Sequence, residues 1–105
     1  MVVTVAADGA VLAAVYPDRD VAEVTVQPFG SGGYDVGFLT TIEASPVRSV
    51  MAVTADGGDA VATDLYCNYA TSRDYSYQVT VRVQTVRGDG EPADCAFRLD
   101  LRLAW

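Results

Sequence analysis

The sequence predicts an all-β fold: one antiparallel β-sandwich of about seven or eight strands, with residues 1–105 forming a single domain. Three observations carry this expectation. Two arms between Tyr77 and Trp105 alternate apolar and polar residues with a period of two. Upstream, short runs rich in Val and Thr recur every eight to fourteen residues or so, separated by clusters of Gly, Asp, Pro and Ser. No stretch repeats apolar residues at the spacing of an amphipathic helix.

On the first arm Tyr77, Val79, Val81 and Val83 share one face, and Gln78, Thr80, Arg82 and Gln84 share the other. On the second arm Cys95, Phe97, Leu99, Leu101, Leu103 and Trp105 oppose Ala96, Arg98, Asp100, Arg102 and Ala104. Such strands put one face on a core and one in water. The arms read as one β-hairpin, in which Arg98, Asp100 and Arg102 would lie opposite Thr80, Arg82 and Gln84. No polar residue stands on the inner parity of the second arm. Leu103 and Trp105 therefore need cover from a sheet or from a partner, which makes Trp105 a candidate interface residue.

The remaining strands follow in order. Val2 to Ala6 and Val11 to Tyr16 flank a tight Ala7-Asp8-Gly9 turn, and Tyr16-Pro17 with Asp18, Arg19 and Asp20 ends that pair. Val24 and Val26 alternate with Glu23, Thr25 and Gln27 until Pro28 and the Gly30–Gly33 run. Tyr34, Val36, Phe38, Thr40 and Ile42 define one face of a fourth strand, closed by Ser45-Pro46. Val47 to Ala55 is a fifth, with Val47, Met51 and Val53 inward. After a turn at Asp56-Gly57-Gly58-Asp59, a sixth sets Val61, Leu65, Cys67 and Tyr69 inward. The Ala-Asp-Gly tripeptide occurs in both halves of the chain, and turn chemistry explains it better than duplication.

Composition bounds the function. At 105 residues, folding buries roughly two thirds of the unfolded chain's surface, enough for an unaided core. All seven cationic residues are Arg; Lys and His are absent. Histidine-based triads, serine-lysine dyads and most imidazole-metal chemistry thus lack their residues, and carboxylates on separate turns offer no cleft for glycoside hydrolysis. No enzyme, catalytic residue, cofactor or metal is expected. A net charge of −7 opposes binding to nucleic acid or to anionic lipid. No apolar run is long enough for a membrane-spanning helix, so no membrane insertion is expected. Met1 leads into Val2, Val3, Thr4 and Val5 without the basic region of a signal peptide. A soluble protein is expected, its localisation otherwise undetermined.

Cys67 and Cys95 both fall on inward parities. They can meet as a disulfide across the core, or stand as two buried thiols. Asp64-Leu65-Tyr66-Cys67 resembles the stretch before the second cysteine of an immunoglobulin domain. In that family the tyrosine stands two residues before the cysteine; here Leu65 takes that place, and the upstream cysteine and the buried strand tryptophan are missing. The resemblance implies at most an immunoglobulin-like sandwich, with a jelly-roll-like one the other type considered, and no function. Arg87-Gly88-Asp89 between the two arms resembles the tripeptide on integrin ligands, yet Gly and Asp are ordinary loop residues. The carboxylate groups Asp18/Asp20, Asp56/Asp59 and Asp89/Glu91/Asp94 lack calcium-loop spacing and read as solvated turns.

The tyrosine-rich stretch from Tyr66 to Tyr77 is the most suggestive. Tyr69 and Tyr77 fit ordinary sheet packing. Tyr66, Arg73 and Tyr75 combine amphipathic area with adaptable hydrogen bonding and are candidate interface residues. The expected function is that of a non-catalytic structural or interaction protein, a small subunit of a larger assembly such as a phage virion decoration or tail component. The alternative is a secreted or cell-surface β-sandwich binding module for adhesion or carbohydrate. Protein partners or self-association are expected; nothing in the sequence specifically supports carbohydrate.

Overall fold

The computed structural model describes residues 1–15, 21–45 and 48–104, and among them it contains eight strands and no helix. They are β1 (Val2–Val5), β2 (Val11–Val15), β3 (Val21–Phe29), β4 (Gly33–Thr40), β5 (Val50–Ala55), β6 (Gly58–Tyr69), β7 (Tyr77–Arg87) and β8 (Phe97–Arg102). Two four-stranded antiparallel sheets result. The first has the order β2-β1-β8-β5 and the second β3-β4-β7-β6. Tyr16, Pro17, Asp18, Arg19, Asp20, Pro46, Val47 and Trp105 lie outside the described residues.

The β1–β2 turn forms as its sequence predicts. Gly9 takes a φ of 91° and donates to the Ala6 carbonyl at 2.9 Å, while the Asp8 carboxylate accepts from the Ala10 amide at 3.0 Å.

The alternation of the last two arms is present, but their pairing is not the expected hairpin. β7 pairs with β4 and β6; β8 pairs with β1 and β5 in the other sheet. Arg98 therefore lies beside Thr4 and Thr54, and Arg82 beside Asp35 and Asp64. Alternation records which face is buried, and it reads the same whether two strands are neighbours or face each other from separate sheets. Here they face each other: Val79, Val81 and Val83 of β7 and Phe97, Leu99 and Leu101 of β8 are all buried in one core. The Tyr34 and Phe97 rings meet in that core at 4.9 Å between centroids.

Two irregularities reset the inner face. In β3 the ladder skips from Ala22↔Leu39 to Thr25↔Gly37, with Glu23 at a φ of 55°. In β6 it skips from Ala62↔Val83 to Asp64↔Arg82, leaving Thr63 extra. Beyond this bulge Leu65 and Cys67 point inward as expected; before it Ala60 and Ala62 do, and Val61 is exposed instead. Tyr69 is also exposed, and Ile42 lies past the end of β4, likewise exposed.

A buried polar junction guides the chain from β7 to β8. Thr85 is fully buried, and its hydroxyl lies 2.6 Å from the Ala93 carbonyl and 3.2 Å from that of Gly32, while accepting from the Cys95 amide at 3.2 Å. Its amide donates to the Gly32 carbonyl at 2.7 Å, and the Gly32 amide donates to Asp94 at 2.7 Å. Gly32 has a φ of 72°, and a Cβ there would run into the carbonyl oxygens of Thr85 and Ala93. The far end is tied too: the Ala104 carbonyl accepts from the Ser45 amide at 2.6 Å and its amide donates to the Ser49 hydroxyl at 3.1 Å.

The disulfide alternative is not what the structure contains. Cys67 and Cys95 are free thiols. The Cys95 sulfur packs where a Cβ on Gly58 would be 3.3 Å away, and Cys67 lies farther along the same strand as Gly58. At about 3.3 Å per residue that is roughly 30 Å, against the 4.4–6.8 Å between Cα atoms that a bridge needs.

Two expectations follow. Thr85→Val keeps the shape but strands the Cys95 amide and removes the donor to Ala93, so urea unfolding should show a loss of about 1–3 kcal/mol; a loss under about 0.5 kcal/mol would mean the junction is held by something else. Thiol titration of the unfolded, unreduced chain should find both Cys67 and Cys95 reactive, and no reactive thiol would restore the bridge.

Candidate interaction surfaces

The outer face of the second sheet is polar and built on one cation. The Phe29 ring covers Gly33, where no side chain competes, and the Arg82 guanidinium stacks 4.4 Å from the ring centroid. Arg82 is also held bidentately by Asp35 at 3.0 and 3.2 Å. The hydrogen bond to Asp35 raises the guanidinium pKa still further, so the charge is permanent. With both its plane and its edge occupied, Arg82 organises the face.

Tyr66 projects from β6 onto this face, in a row with Thr80, Gly37 and Thr25 of the neighbouring strands. Arg73 and Tyr75 lie on the 70–76 loop, Arg73 exposed and Tyr75 half-buried. Tyr69, 84% exposed, stacks on Tyr77 at 5.6 Å between centroids. Desolvation, and then the Glu43 carboxylate, raise the pKa of the Tyr77 hydroxyl.

Beside these residues runs an open groove of about 370 Å³. Among the described residues it is lined by Glu23, Thr25, Phe38, Leu39, Ala70, Thr71, Ser72 and Gln78. It offers hydroxyls, one amide and one carboxylate over an apolar floor, and no cation. Glu23 holds its place at a φ that costs a non-glycine residue about 1–3 kcal/mol. Sequence reading reached only the Ser72 side of this groove. Glu23 and Thr25 share one parity of β3, and only the pairing of β3 with β4 and of β4 with β7 brings them beside Leu39 and Gln78.

The first sheet presents a different surface, which sequence reading missed. Its edge strands, β2 (Val-Leu-Ala-Ala-Val) and β5 (Val-Met-Ala-Val-Thr-Ala), contain neither a charge nor a proline. Leu12 is 65% exposed, Val15 63% and Val50 61%, although the chain carries a net charge of −7. The signal was present as two charge-free runs, but a run that ends at a sheet edge reads in sequence like one that is buried.

The Arg87-Gly88-Asp89 tripeptide closes on itself. Arg87 pairs with Asp89 at 3.4 Å, and the Gly90 amide donates to the Arg87 carbonyl at 2.9 Å, the geometry of a turn. Asp89 accepts from the Glu91 amide and Asp94 from that of Gly32. Among the described residues no group of three or more Cys, Asp or Glu side chains could hold a metal ion, and no helix is long and apolar enough to cross a membrane. No protein-family model, no curated protein and no solved structure matches the chain.

Proposed function

We propose that this chain is a non-catalytic subunit of a larger assembly, such as a decoration or tail component of a phage virion, and that it works by surface contact. Residues 1–105 would form one β-sandwich of immunoglobulin-like or jelly-roll-like type. The observation that supports this reading is the pair of uncharged, exposed edge strands β2 and β5 on one sheet. An open edge presents unpaired backbone donors and acceptors to any strand that approaches, and apolar side chains on it gain by being covered. The residue inventory points the same way, since a chain without Lys or His lacks the commonest bases and nucleophile activators.

A second reading is favoured by the groove. Hydroxyls of Thr25, Thr71 and Ser72, the Gln78 amide and the Glu23 carboxylate above Leu39 suit a neutral or cationic hydrogen-bonding ligand, as in a secreted binding module for protein or carbohydrate. The two readings part on the state of the protein in its native source. Gradient sedimentation should find the chain in a particle many times its own mass of 11.1 kDa. Recovery only as a free species of about that mass would remove the assembly reading and leave the module.

A further inference from the structure

We infer that the partner of the two open edges is a second copy of this chain, joined head to tail so that β2 of one copy extends the first sheet of the next beyond β5. This rests on the assembly reading above and names its contact.

The two sheets differ at their edges. Both edges of the second sheet are guarded: β3 by Pro28 and by the irregularity at Glu23, β6 by Asp59, Asp64 and the bulge at Thr63. Bulges, prolines and charges are how proteins keep sheet edges from pairing. β2 has one irregularity, at Leu12, beyond which Ala13, Ala14 and Val15 stay in register with Thr4, Val3 and Val2; β5 is regular against β8 throughout. Among the described residues a charge or a proline thus stands on both edge strands of the second sheet and on neither edge strand of the first.

Strand direction fits a second copy. Strands alternate across β2, β1, β8 and β5, each pair antiparallel. With four strands, β2 and β5 run in opposite senses, so a copy in the same orientation brings its β2 antiparallel to the first copy's β5. A twofold contact between two β2 strands is also antiparallel, but it leaves β5 bare. Only the head-to-tail contact covers both edges with one repeated interface, and it yields a ring if the rotation closes and a filament if it does not.

Charge favours the first sheet as well. β2 and β5 bring no carboxylate to the seam, whereas the edge strands of the second sheet carry Glu23 on β3 and Asp59 and Asp64 on β6. The pairing is therefore assigned to the first sheet, and salt, which screens the net charge of −7 on each copy, should favour association.

The test uses the purified chain and two variants altered only at exposed, outward positions: Ala13→Glu with Val15→Glu to close β2, and Val50→Glu with Ala52→Glu to close β5. Sedimentation velocity should show species larger than a dimer for the unaltered chain, growing with concentration and with salt. Each variant should be a folded monomer with unchanged circular dichroism, and an equimolar mixture should form a one-to-one dimer, because one intact β2 and one intact β5 remain. If the β5 variant dimerises with itself while the β2 variant does not, the contact is twofold and the head-to-tail assignment is wrong. A chain that stays monomeric at millimolar concentration in high salt overturns self-assembly altogether. That result would leave the assembly reading standing only with a different partner, to be decided by its own sedimentation in the native source.

Discussion

The crossing of the chain from β7 to β8 is the constraint on which the rest of this structure depends. A tight hairpin would have set both arms in one sheet, with their apolar faces on the same side and nothing of their own to cover them. By passing over the Thr85 junction, the chain brings Val79, Val81 and Val83 to face Phe97, Leu99 and Leu101. At roughly 1.5–3 kcal/mol for each side chain removed from water, these residues are worth about as much as the whole net stability of a domain this size. The cost is a connection that buries backbone polar groups, and one threonine hydroxyl, one aspartate and one positive-φ glycine satisfy them.

That crossing also explains what could and could not be read from the residues in order. All eight strands and most inner faces were legible, because burial of one face imposes a period of two wherever a strand is regular. Pairing was not legible, since Leu99 has the same neighbours in sequence whether Val81 lies beside it or across the core. The reversal at Val61 was hidden as well: a bulge is a disagreement in length between two partner strands, and it cannot be read from one of them. Cys67 and Cys95 show the same limit, for a shared inward parity fixes direction and not distance. Of the candidate contact residues, Tyr66, Arg73 and Tyr75 were found by composition. The groove beside them joins Glu23 to Gln78, and only the register of β3, β4 and β7 makes them neighbours.

Once the sheets are assigned, the distribution of charge becomes informative. The second sheet carries the bidentate Arg82–Asp35 pair on its outer face and acids or a proline at its rims. Among the described residues the first confines the charges of its strands to β8, one of its two central strands, in Arg98, Asp100 and Arg102, and its edge strands β2 and β5 have none. A monomer at −7 gains solubility from its acids wherever they stand, so their absence from two exposed strands of one sheet calls for a specific cause. Contact with another strand, as proposed above, would supply one.

Cross-strand nuclear Overhauser contacts test the central claim most directly, because β2 and β5 are edges only if β8 lies between β1 and β5. The account predicts backbone contacts from Arg98 and Asp100 to Thr4, Val2, Thr54 and Ala52, and side-chain contacts alone between the β7 valines and the leucines of β8. Backbone contacts from Arg98 and Asp100 to Thr80 and Arg82 would put the two arms back into one hairpin and contradict it.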